Sequence, residues 1–197
     1  MIVGKIVALL LWIYLLSALK RGKLDFWYFM AGSVGMFIFY MILLEPVLLV
    51  PLQQAVAAVA GILGEATGMF ETYFKQGIVF VPCDTGAISM YIDYECSGII
   101  EIGAYLSLLF FFSVYSIQEK VVYSILGSLS IFAANVLRIF VIASLIHVYG
   151  SDIYFVAHTI IGRLLFYGFT IALYFYVFTK GQIKRQRIGK FHYDITE

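Results

Sequence analysis

Residues 45–64 read EPVLLVPLQQAVAAVAGILG, and whether this stretch crosses a bilayer decides the fold. It is apolar for most of its length but flawed, with Pro51 and the pair Gln53-Gln54 near its middle. The rest of the chain leaves no doubt about its solvent. Of 197 residues, 62% are hydrophobic and only 13% are charged, about half of the ~25% charged share of a soluble domain. Mean hydropathy is +0.95. These values describe an integral membrane protein.

A membrane span needs about 20 predominantly apolar residues. Runs 2–19, 26–44, 99–117 and 157–179 meet that need. Run 121–149 exceeds it and carries Asn135 and Arg138, so it must tilt, project or break. Lysine and arginine in short loops mark the cytoplasmic side. Lys20, Arg21 and Lys23 follow the first run, and Lys180, Lys184, Arg185, Arg187 and Lys190 follow the last. Five spans put both basic clusters in the cytoplasm, whereas a sixth crossing at 47–64 would expel the tail. The stretch 47–64 is therefore expected to be an interfacial or re-entrant helix on the outer side. The expected fold is an all-α, multi-pass protein of the cell membrane, one domain over 1–197, with 45–98 outside and the C-terminus cytoplasmic. Within 65–98, GIVFVP (77–82) and ISMYIDY (88–94) flank Asp84-Thr85-Gly86 and predict a small outer β-hairpin.

Several functions are unsupported. A net charge of +1 with no basic stripe gives no reason to expect nucleic acid. Two cysteines and three scattered histidines make no ligand set, so neither a metal nor an organic cofactor is expected. KRGK stands after the first run where a signal-peptidase site would lie, so that run reads as a retained span.

The topology sorts the reactive side chains by depth. Cys96 lies at the outer mouth of the third span and His158 at that of the last. Arg138 lies about 25 Å from the cytoplasmic end of its helix, in the outer part of the membrane. A cysteine nucleophile, a histidine proton carrier and an arginine for a developing oxyanion could together perform acyl transfer. Each also has a plainer explanation. Cys96 could be structural or paired with Cys83, and His158 could sit at the interface. Arg138 could be a salt-bridged helix arginine, although an intramembrane guanidinium costs about 2.5–3.5 kcal/mol. Asn135 shares the face of Arg138. Arg163, one turn below His158, rivals it and could pair with Glu101. His147 falls on the opposite face from Arg138. Asp93 and Glu95 would raise the thiol pKa unless they face away or find cations.

ECSGI (95–99) opening a helix, NVLRI (135–139) within the next and a histidine opening the last resemble the exosortase/archaeosortase family. The resemblance covers about 45–180, and the short chain looks like the Gram-positive exosortase branch. It implies a membrane cysteine transpeptidase with Cys96 as acyl-thioester nucleophile and Arg138 and His158 as its active-site partners. Arg163 stays an alternative for the third position. The implied substrates are exported proteins ending in a sorting motif, a transmembrane helix and a basic cluster. An unidentified acceptor nucleophile takes the acyl group, and the site faces outward. Gly32, Gly35, Gly162 and Gly168 are expected to allow close approach of the substrate helix. Two other readings remain: hydrolysis with water as acceptor, and a non-enzymatic transporter or assembly subunit holding an Arg138–Glu101 pair.

Overall fold

A computed structural model describes residues 2–83 and 86–186. Asp84 and Thr85 of the expected turn, and Arg187 and Lys190 of the basic tail, lie outside the described residues. The chain runs α1 (Ile2–Arg21), α2 (Asp25–Leu43), α3 (Glu45–Thr67), β1 (Glu71–Tyr73), β2 (Ile78–Cys83), β3 (Gly86–Tyr91), α4 (Ile99–Phe111), α5 (Ile117–Tyr149), α6 (Gly162–Tyr174) and α7 (Lys180–Gln186). Two π-helical turns, Val156–Ile161 and Phe175–Thr179, join α6 to its neighbours, so one helical rod extends over Ser151–Ile183.

Five helices are long and apolar enough to cross a membrane, the expected number, but the set differs. Glu45–Thr67 qualifies with 23 residues, and Ile99–Phe111 falls short with 13. The 13 residues of α4 reach only about 20 Å, against a hydrocarbon core of about 30 Å. This helix stops early because Phe112 turns extended and Ser116 opens α5 with a capping box to Glu119. Lys120 Nζ donates to the Phe110 carbonyl at 2.6 Å and closes the end of α4. As a result α5 begins at Ile117 and runs 33 residues, about 50 Å.

The geometry of α3 explains its mixed composition. Only Leu44 separates it from α2, and that residue keeps helical torsions (φ −101°, ψ −35°). A helix hairpin takes two to five linking residues, so α2 and α3 form a bent rod around Glu45-Pro46. The two glutamines tie α3 to segments that flank the strands: Gln53 Nε2 donates to the Ile92 carbonyl at 2.8 Å and Gln54 Nε2 to that of Lys75 at 3.1 Å. Beyond the expected hairpin, β1 adds a third strand, giving the antiparallel order β1-β2-β3. Strand alternation buries Val79, Val81 and Met90 against α3 and the end of α5.

The helices interlock through aromatic rings seated on glycines. Phe111 covers Gly32, Tyr40 covers Gly103, Tyr105 covers Gly127 and Trp12 covers Gly35. Trp12 also donates from Nε1 to the Ala31 carbonyl at 2.9 Å, fastening α1 to α2.

Candidate active site

The segment between β3 and α4 is built to hold a side chain still. Asp93 accepts a hydrogen bond from the Cys96 amide at 3.0 Å and caps the short 3₁₀ turn Tyr94–Cys96. Ser97 Oγ donates to the Tyr94 carbonyl at 2.8 Å. Gly98 follows with φ +80°, the left-handed region that favours glycine, and opens α4. A side chain there would also run into the Asn135 amide, so Gly98 is required both by torsion and by space. Cys96 is left 1% exposed, just ahead of α4.

Opposite it, α5 supplies Asn135 and Arg138, which are 0% and 3% exposed. Arg138 Nη1 donates to the Glu95 carbonyl at 3.4 Å, and its guanidinium carbon lies 5.9 Å from the centre of the Phe166 ring. The anchoring group on Glu95 is therefore its backbone. Arg138 Nε and both polar atoms of the Asn135 side chain are buried without hydrogen-bond partners among the described residues.

His158 comes from the π-helical turn Val156–Ile161, where the Gly162 amide reaches back to the Ala157 carbonyl. The extra residue per turn rotates the ring relative to a regular helix, a device frequent at functional sites. His158 Nε2 lies 3.6 Å from Cys96 Sγ. Tyr154 stacks on the imidazole with ring centres 5.6 Å apart and planes 10° from parallel. Thus Cys96, Arg138 and His158, separated by up to 62 residues, meet at one place.

A family description, transmembrane exosortase, matches residues 2–176. The chain belongs to the transmembrane exosortase family. Comparison with curated proteins and with solved structures gives no match. Membership together with the apolar helices makes this exosortase a multi-pass membrane protein, of a family with a general transpeptidase or protease role.

Other sequence expectations fare differently in this exosortase. Among the described residues no disulfide joins Cys83 to Cys96, so the candidate nucleophile is not blocked in that way. Arg163 pairs with the Glu95 carboxylate at 3.0 Å and not with Glu101. Arg163 lies on α6 just after the π turn and reaches the 3₁₀ turn that precedes α4, where Glu95 projects. Glu101 makes no ion pair with Arg138 among the described residues, and its Oε2 is buried without a hydrogen-bond partner. His147 Nδ1 lies 2.8 Å from the Pro82 carbonyl and tethers the sheet to α5, away from Cys96.

The expected docking glycines are mostly used inside the molecule. Gly32, Gly35 and Gly162 are covered by Phe111, Trp12 and Ile142, and only Gly168 faces open space. Glycines that seat an internal ring and glycines that face an open surface look alike in sequence, and of the four Gly168 keeps an open face.

The resting thiol is strongly protonated. Burial pushes Cys96 up to about 12; Arg138 opposes this, while Asp93 and Glu95 add to it. The contact at Nε2 and the nearby guanidinium suit a proton transfer coupled to bond formation better than a preformed thiolate. Sequence reasoning missed the π turn, the Tyr154 stack and the backbone role of Glu95. The first two carry no local sequence mark, and the third uses a group every residue has.

Proposed function

We propose that this chain is a membrane cysteine transpeptidase that cleaves C-terminal sorting signals of exported proteins. The observation that carries this reading is the Cys96 Sγ to His158 Nε2 contact of 3.6 Å beside the buried Arg138 guanidinium. His158 Nε2 takes the thiol proton as Sγ bonds to the scissile carbonyl carbon. The carbonyl π electrons move onto oxygen, and the planar Arg138 donor fork balances the oxyanion. Collapse expels the amine, which takes the proton back from His158 and leaves a thioester on Cys96. An acceptor nucleophile then gives its proton to His158 as it attacks the thioester, and collapse breaks the C–S bond, returns that proton to Sγ and releases the new acyl product.

Because burial keeps the thiol protonated at rest, the histidine acts as a general base during attack, as it does for serine nucleophiles. The basic clusters after the first and last helices favour a cytoplasmic C-terminus and an outward-facing site. Among the described residues Glu101 forms no ion pair with Arg138, the pair that a transporter or assembly subunit was expected to hold.

In cells, Cys96→Ala should leave exported proteins with an apolar C-terminal helix and basic tail at precursor length. Normal maturation in that variant rules the reading out. The mass of the matured C-terminus separates transfer from hydrolysis: an added acceptor supports transpeptidation, and a free carboxylate supports a protease.

A further inference from the structure

A lateral groove of about 780 Å³ lies between α4 and the last helical rod. Its walls include Leu108, Phe166 and Ile171, and it extends from Ile100 on α4 to Phe112 just past the helix end, about 18 Å at helical rise. Two features tie it to the candidate active site. Phe166 lines the groove and also faces the Arg138 guanidinium. Glu101 lines its upper end, five residues after Cys96, and its Oε2 is buried without a hydrogen-bond partner. Thr170, another polar lining residue, already donates to the Phe166 carbonyl at 3.0 Å.

We propose that this groove receives the membrane helix of the substrate, and that Glu101 accepts a hydrogen bond from an N–H- or O–H-bearing side chain near the start of that helix. The inference rests on the transpeptidase reading and adds a rule for substrate choice. A buried carboxyl oxygen left without a donor at membrane depth is costly even with the Arg138 charge nearby, and a donor arriving with the substrate relieves that cost. A lipid acyl chain offers no such donor, and an acidic side chain at the same place would be rejected. The step from Glu101 back to Cys96 is about 8–10 Å along the chain axis. An extended substrate covers that distance in about three residues. The scissile bond is thus placed about three residues before the donor-bearing position.

The test uses full-length Cys96→Ala in proteoliposomes, with a photo-crosslinking residue at Ile171 in the groove. A second version carries it at Ile125, an exposed position on α5. The probes are synthetic 20-residue Leu/Ala helices with a short polar N-terminal extension, carrying Gln or Leu in the first turn. At Ile171 the Gln probe should crosslink about fivefold more than the Leu probe, the scale of one hydrogen bond in a membrane. Glu101→Leu should erase that preference, Glu101→Gln should keep it, and Ile125 should show none. Equal yields at Ile171, a preference that survives Glu101→Leu, adducts to lipid alone, or adducts to a second copy of the chain would each overturn the proposal. Since the Cys96 thiol is absent from this variant, these outcomes are independent of whether Cys96 performs the chemistry.

Discussion

Helix α5 passes through two cores that differ in the kind of polar atom they leave unpaired. Toward its start, Tyr105, Leu109, Ile131, Ala134, Phe166 and Val177 form one cluster. There Tyr105 donates its hydroxyl to the Tyr123 carbonyl at 2.8 Å, and Tyr115 donates to the Val177 carbonyl. Toward its end, Val136, Ile139 and Ile142 join Cys96, α3 and the sheet in a second cluster. The boundary falls at Asn135, and beside it Asn135, Arg138 and Glu101 keep buried polar atoms without partners. Each such atom costs about 1–3 kcal/mol. Two serine hydroxyls, Ser33 on α2 and Ser107 on α4, are also buried without partners among the described residues. The contrast is therefore one of kind: the unpartnered carboxylate, amide and guanidinium atoms gather at the site, where a ligand can supply the missing bonds.

The strongest way to break this contrast is Arg138→Gln. Loss of one oxyanion donor costs about 10²–10³ in rate, so maturation of substrate in cells should fall by that much. Protein level should fall little, because the guanidinium makes one long hydrogen bond of 3.4 Å and leaves Nε unpaired. A variant that vanishes from the membrane instead would make Arg138 a scaffold residue.

Next in size is the reactivity of the thiol. With Cys96 near 12, its alkylation by a small methanethiosulfonate should rise about tenfold per pH unit from 7 to 10 without a plateau. Asp93→Asn removes a carboxylate that raises the pKa and should move the curve to lower pH. Arg138→Gln removes a charge that lowers it and should move the curve to higher pH. A plateau near pH 7 in the unmodified chain would mean a preformed thiolate and a different role for His158.

Tyr105→Phe probes the opposite region. It deletes one buried hydrogen bond, worth about 0.5–1.5 kcal/mol, and should lower thermal stability in detergent while the maturation rate per folded molecule stays unchanged. A rate loss equal to that of Arg138→Gln would join the two regions into one functional unit.

The same contrast explains what the sequence could tell. Apolar runs and basic loops announce the helices, because hydropathy is local and additive along the chain. Cys96, Arg138 and His158 could be matched by depth, since a small bundle leaves few places for reactive groups at one level. The role of 45–67 was harder, since length and composition allow a crossing while the one-residue bend at Leu44 and the Gln53 bond to Ile92 come from tertiary structure. Partner choice was harder still. Arg163 could pair with Glu101 by sequence alone, but it follows the π turn at Val156–Ile161 and pairs with Glu95.

That pairing gives the smallest and most discriminating prediction. The Arg163–Glu95 pair is 42% and 62% exposed, so solvent screens it and its stability worth is about 0–1 kcal/mol. Arg138 holds the Glu95 backbone carbonyl, which any residue would present, so Glu95→Gln should preserve the Arg138 anchor. Glu95→Gln and Arg163→Gln should therefore each change maturation less than about threefold and stability by at most about 1 kcal/mol. Arg163 was the rival to His158 for the third active-site position. If Arg163→Gln stops maturation as completely as Cys96→Ala while His158→Gln does not, the proton carrier must be sought elsewhere, and the 3.6 Å sulfur contact becomes a packing feature. If His158→Gln is the damaging change, the exposed pair orients the turn carrying Cys96 and the buried face does the chemistry.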